Sequence, residues 1–243
     1  PELISHETER RLCAAGGDTA SRYAEVLSFT RLARRVADSM GSAAEECLDN
    51  GGRVVAMAAA AKNLASRLKA YAAVETKPEF LTGLIDAVDE FKRCCISSGD
   101  LSRAAGETEG SLAQKLEELS LLMESYDALC SRGKRDPRDQ MTWLLEQMEQ
   151  GDFAKEHVFY IDGFPDFTRQ HLAILEHLIQ ASPDVTVSLN CDRESSHLLA
   201  FERAGDTASQ LLRCARRAGV EVRNDTVPGK RLPLSPLREG LFQ

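Results

Sequence analysis

The residues best placed to do chemistry stand at the end of one apolar run. Val158-Phe159-Tyr160-Ile161 has strand length, and Asp162 and Gly163 follow it directly. A carboxylate at the carboxyl end of a hydrophobic strand is the Walker B arrangement, in which the acid holds magnesium opposite nucleotide phosphates. Open parallel sheets bind their ligands at that end of the strands. An active motor carries a second acid at the next position to orient the attacking water, and Gly163 has no side chain for that task. The same dipeptide also closes a plain strand-end turn. The phosphate-cradling half of a nucleotide site is missing. No G-x-x-x-x-G-K-[ST] occurs, because Gly133-Lys134 and Gly229-Lys230 are each followed by Arg and lack the upstream loop.

Other chemistries fail on spacing. Pro165-Asp166 could open a PD-(D/E)xK nuclease site, but the only later lysine is Lys230, with Pro228 two residues before it. His6, His157, His171, His177 and His197 form no HExxH, and His171 and His177 point to different helix faces. Ser28 and Ser188 lack a G-x-S-x-G elbow. The seven cysteines are scattered and contain no CxxC, so they read as reduced thiols and not as metal ligands. Two basic clusters, Arg31/Arg34/Arg35 and Arg213/Arg216/Arg217, could contact phosphate or simply face solvent.

The elements that position these residues fall into three stretches. Residues 1–44 open with a polar helix over Glu2–Ala15. Glu25–Phe29 follows as a short strand, and then a helix carries Leu32, Ala33, Val36 and Met40 on one face and closes at Gly41. Residues 45–150 are helical by period over Gly52–Ala73, Pro78–Cys95 and Ser111–Cys130. Asp136 and Pro137 serve as N-cap and first residue of a further helix. From 151 onward the order is strand (to Ile161), helix Thr168–Ala181, buried strand Val185–Leu189, and helix Thr207–Ala218 ended by Gly219. That order implies a parallel sheet with right-handed crossovers. The helical block therefore reads as an insertion between 1–44 and 151–243 of one α/β domain.

The chain of 243 residues carries net charge -8, which argues against an overall polyanion-binding surface but permits local basic patches. The acids Glu45, Glu46, Asp86, Asp89, Glu90, Glu117 and Glu118 outweigh nearby bases in the helical block and favour a rival reading, a protein-interaction module. No apolar run nears the roughly 20 residues that span a bilayer. The first residue is Pro1, so the chain reads as an internal piece of a longer protein.

Three segments together resemble a known family. Ser28-Phe29-Thr30-Arg31-Leu32-Ala33-Arg34-Arg35-Val36 resembles the SFxRLAxRV segment of the AddB (RexB) subunit of bacterial AddAB helicase–nucleases. Ser28-Phe29-Thr30 stands at the T-F-H motif of UvrD-like superfamily 1 helicases. Ile161-Asp162-Gly163-Phe164-Pro165-Asp166-Phe167-Thr168 resembles the AddB IDGFxxFT signature, which replaces the motor motif vDEfQDt. Val185–Leu189 with Asn190, Cys191 and Asp192 resembles the next helicase strand and its terminal acid, and Phe201, Thr207 and Leu211 fit the stretch beyond it.

The resemblance implies an incomplete RecA-like (P-loop NTPase-like) parallel sheet with a large all-helical insertion. It would be a catalytically degenerate, helicase-like part of a subunit that scans DNA in double-strand break repair and recombination. It further implies an AddA-type helicase–nuclease partner, a cytoplasmic location, and ATP with magnesium and an iron–sulfur cluster only outside these residues. Asp162 and Gly163 would be the Walker B-like remnant, and Asp192 a motif III-like acid with no Gln after it. Ser28, Phe29, Thr30, Arg31, Phe164 and Phe167 would be candidate DNA contacts. No residue here is assigned to catalysis or to a metal. An active superfamily 1 motor would need Glu at position 163.

Overall fold

The computed structural model describes residues 2–17, 19–41, 47–72, 77–190 and 201–227. The chain divides into two compact units. The first comprises residues 1–153 with 168–174, and the second comprises 154–167 with 175–243.

The first unit is helical. It contains α1 (Glu2–Gly16), α2 (Phe29–Ser39), α3 (Asn50–Asn63), α4 (Pro78–Arg93), α5 (Ser98–Gly106), α6 (Gly110–Cys130) and α7 (Gln140–Gln150). The starts follow from local chemistry. Ser28 accepts the Arg31 N–H at 3.3 Å and begins α2, and Asp49 accepts the Gly52 N–H and begins α3. Pro78 opens α4, with Glu79 in its first turn and Lys92 and Arg93 in its last. Periodicity alone does not separate α5. A capping box between Ser97 and Asp100 starts it, and the sequence shows that box only as Ser-x-x-Asp.

Met57, Ala60 and Ala61 of α3 pack with Leu84 and Val88 of α4, Leu101 of α5, and Leu122, Met123 and Tyr126 of α6 in one core. Each large apolar side chain so buried stabilises the unit by about 1.5–3 kcal/mol. Leu32, Val36 and Ala37 are buried on α2, which packs against α7 with its own buried Leu144 and Met148.

Two expectations change here. The helix expected over Gly52–Ala73 stops at Asn63. The buried carboxylate of Glu118 accepts the backbone N–H groups of Lys69, Ala70 and Tyr71 at 2.9–3.0 Å, which holds that segment in a turn. Val55, placed on the expected apolar stripe, is exposed. The strand expected over Glu25–Phe29 is likewise absent. Residues 24–28 have no ladder partner among the described residues, and Phe29 is already helical. Extended backbone without a neighbouring strand leaves its N–H and C=O groups to water.

The second unit is mixed α/β. The short α8 (Phe153–Glu156) leads into β1 (Phe159–Ile161), which pairs in parallel with β2 (Val185–Val187), Phe159 opposite Val185 and Ile161 opposite Val187. α9 (Arg169–Ala181), whose first residues belong to the first unit, links the two strands, and α10 (Glu202–Ala218) follows β2. α10 ends where Gly219 takes φ +68, a left-handed cap that glycine adopts without steric cost. The two strands, expected to be buried, alternate instead between half-buried and exposed residues, and Tyr160 is 75% exposed. The period of two leaves one sheet face open among the described residues.

Candidate functional site

The parallel register places the residues that follow each strand side by side. Ile161 pairs with Val187, so Asp162 and Ser188 come next on neighbouring strands. The Ser188 backbone N–H donates to the Ile161 carbonyl at 2.9 Å, and the Ser188 hydroxyl donates to Asp162 Oδ1. The strand-end carboxylate is thus exposed to solvent on one side and tied to the adjacent strand on the other.

Gly163 turns the chain with φ +79. This backbone conformation disfavours any residue with a Cβ. Position 163 is therefore built for glycine. Phe164 and Phe167 stack on each other with ring centroids 5.3 Å apart, both half-buried. Asp166 between them pairs with Arg203 of α10 at 3.5 Å, both exposed. Thr168 accepts the His171 N–H at 3.2 Å and starts α9.

The other sequence-derived candidates lie in the first unit. The Ser28 hydroxyl is used as the α2 cap. Phe29 stacks on His171 with centroids 4.3 Å apart and planes 15° apart. Burial holds the His171 pKa below the ordinary histidine range, which favours the neutral ring. Thr30 and Arg31 are exposed. Asp192 lies outside the described residues, as do Glu45, Glu46 and Cys191.

Sequence reasoning does not single out Ser188 as a partner of Asp162, Arg203 as a partner of Asp166, or His171 as a partner of Phe29. Only for Ser188 does the sequence hold a usable signal. Once two parallel strands are assumed, the residues just past their ends must be neighbours.

Among the described residues the donor set does not fit a magnesium–nucleotide centre. One oxygen of Asp162 is engaged by Ser188, and Gly163 offers no ligand. Among the described residues no group of three or more His, Cys, Asp or Glu could hold a metal ion. No helix among them is long and apolar enough to cross a membrane.

The helical block holds a second polar centre, and it is structural. Arg53 of α3 is bonded to Asp89 of α4 and lies 3.3 Å from Asp136 and from the Tyr126 hydroxyl. Lys92 of α4 reaches Asp127 at 2.8 Å, Asp139 at 2.6 Å and Asp136 at 3.4 Å. Burial pushes Asp136 upward, but Lys92, the Arg138 N–H and Arg53 outweigh it and hold the carboxyl below its usual range. Asp139 ends above its usual range, chiefly from burial, although Lys92 opposes the shift. Burial also pushes the nearby Cys130 thiol up to about 11, so it is unreactive. Asp89 and Glu118, two acids that had favoured an interaction surface, are both buried and internally bonded.

A parallel strand pair with a carboxylate at its carboxyl end, followed by a left-handed glycine, among many helices defines a mixed α/β protein. The family model described as "ADDB, N-terminal" matches residues 1–235, and the chain belongs to that family. Similar curated proteins are named as the B-type subunit of an ATP-dependent helicase/deoxyribonuclease. The one from Moorella thermoacetica is 29% identical, over 93% of this chain and 20% of its own length. That from Clostridium acetobutylicum is 25% identical, over 91% and 20%. That from Thermoanaerobacter sp. (strain X514) is 31% identical, over 79% and 17%. The chain thus spans about a fifth of the length of these relatives.

Proposed function

We propose that this chain is the helicase-like, catalytically degenerate part of an AddB-type subunit, that it binds DNA, and that it scaffolds an AddA-type motor subunit without hydrolysing ATP. The observation that carries this reading is the pairing of Asp162, at the end of β1, with Gly163 at φ +79, in a chain of this family. Losing a water-orienting acid removes an interaction made in the transition state, which lowers the rate and not merely the affinity. The printed names of the relatives support DNA as substrate and a second subunit as partner.

In this reading residues 1–44 and 151–243 form a RecA-like domain of the longer protein, and 45–150 are its helical insertion. The β-α-β order from β1 to β2 supports a parallel sheet of that kind. The stacked Phe164 and Phe167 supply an aromatic surface beside the strand ends, and Thr30 and Arg31 supply exposed polar groups on α2. The longer protein acts in the cytoplasm in break repair and recombination, and any ATP, magnesium or iron–sulfur cluster is bound outside these residues. Two assays on the purified chain test the reading. Fluorescence anisotropy with single-stranded and forked DNA is expected to show binding that weakens steeply with salt. ATP turnover is expected to be absent with or without DNA. DNA-stimulated turnover that vanishes in Asp162→Ala overturns the degenerate assignment, and salt-independent or absent DNA binding overturns the DNA role.

A further inference from the structure

The charge of the second unit is unevenly distributed. α10 begins with Glu202 and Asp206 and ends with Arg213, Arg216 and Arg217, and Arg223 follows four residues past the Gly219 cap. From Thr207 to Asn224 the only acid is Glu221, in a chain whose net charge is -8.

Two arginines of α10 have structural partners. Arg203 pairs with Asp166 at 3.5 Å and Arg217 with Glu176 at 2.9 Å. Arg213 and Arg216 are exposed, enter no such pair among the described residues, and lie three residues apart on one side of the helix. A single cation in the last turn already complements the helix dipole. Arg217 stands there with its carboxylate, so two further guanidinium groups without an ion pair among the described residues exceed what the helix needs.

The phase of the helix sets this pair apart. The Arg203–Asp166 pair joins the first turn of α10 to the loop that carries Phe164 and Phe167. At about 100° per residue, Arg213 is turned about 80° and Arg216 about 140° from Arg203 around the axis. The two arginines therefore present a face of their own, which the Arg203 pair does not cover.

We infer that Arg213 and Arg216 form a contact surface for the phosphodiester backbone of DNA on the exposed face of α10. The inference rests on the DNA-binding reading above and deepens it by naming the surface. Guanidinium groups suit it because their fork of donors matches phosphate oxygens. The contact is independent of base sequence.

The test measures the binding of a fluorescent oligothymidylate to the whole chain, from low to moderate salt. The double variant Arg213→Ala/Arg216→Ala is expected to reduce the slope of log K against log salt by about 1.4, and affinity at 0.1 M salt roughly twentyfold. Arg213→Lys/Arg216→Lys is expected to keep the slope. Arg67→Ala/Arg132→Ala removes two exposed charges elsewhere and is expected to leave it unchanged. Circular dichroism is expected to be the same for all four proteins, because every replaced side chain is exposed. An unchanged slope in the Arg213/Arg216 alanine variant overturns the inference. So does an equal loss in the Arg67/Arg132 variant, which reports net charge alone, and so does a loss seen instead in Arg31→Ala/Arg34→Ala. Wild-type chain that binds no DNA at any salt overturns the DNA-binding reading and this surface with it. Wild-type binding that is unchanged in affinity and slope in the Arg213/Arg216 alanine variant overturns the surface alone.

Discussion

Replacing Asp136 by alanine is the sharpest test of what holds the helical unit together. The residue is fully buried, and its carboxylate accepts the Arg138 N–H at 2.9 Å, Arg53 Nη2 at 3.3 Å and Lys92 Nζ at 3.4 Å. Alanine removes the cap of the Pro137–Asp139 turn, worth about 1 kcal/mol. It also breaks a buried charge cluster, for which removing one partner costs about 3–5 kcal/mol. The two effects share one carboxylate and do not simply add. Lys92 keeps Asp127 and Asp139, and Arg53 keeps Asp89, so the lower end applies and the expected loss is about 3–4 kcal/mol. Urea unfolding followed by helical circular dichroism should show a midpoint lower by roughly 1–4 M, at a typical slope of about 1–3 kcal/mol per M. Asn, which retains an acceptor for the Arg138 N–H, should lose less than alanine. Because the folded Asp136 pKa is depressed, its contribution is present above the unfolded value and disappears as pH falls through the folded one. The gap between wild type and variant should therefore close below about pH 4. A loss under about 1 kcal/mol at pH 7, or a gap that persists in acid, refutes the role assigned to the cluster.

Further outcomes follow from the same geometry. Glu118→Ala leaves three backbone N–H groups unpaired and should destabilise the first unit by about 2–3 kcal/mol in thermal or urea unfolding, since water reaches the half-exposed turn and recovers part of the loss. Gly163→Glu should restore no ATP turnover and should cost about 1 kcal/mol or more, because φ +79 strains any side-chain-bearing residue. Asp162→Ala and Ser188→Ala should each weaken the strand pair, and the double variant should be less destabilised than the sum, which a double-mutant cycle reads directly. His171 has a depressed pKa from burial, so its stack with Phe29 should lose stability as pH falls below the ordinary histidine value near 6.5. His171→Phe should abolish that slope in pH-dependent unfolding.

The sequence by itself determined the elements whose cause is local. Pro78 and Asp136-Pro137 mark helix starts because proline's fixed φ and an aspartate cap act within one turn. Gly41 and Gly219 mark ends because a left-handed cap needs no distant partner. The strand after α8, its parallel partner and the helix between them were legible from period and β-branched content, and so was Asp162 at the strand end. Tertiary structure alone decided whatever needed a partner from elsewhere in the chain. Glu25–Phe29 has strand composition but no neighbour to pair with among the described residues. α3 ends early because Glu118, 47–49 residues away, captures the following N–H groups. Asp89 and Glu118 read as surface acids until Arg53 and three backbone amides appear beside them. A charge reads the same on a solvated face and in a core, since burial and pairing are properties of the fold and not of the residue. Asp162 stood out as a residue that could do chemistry, but only the strand register showed that its carboxylate is held by Ser188.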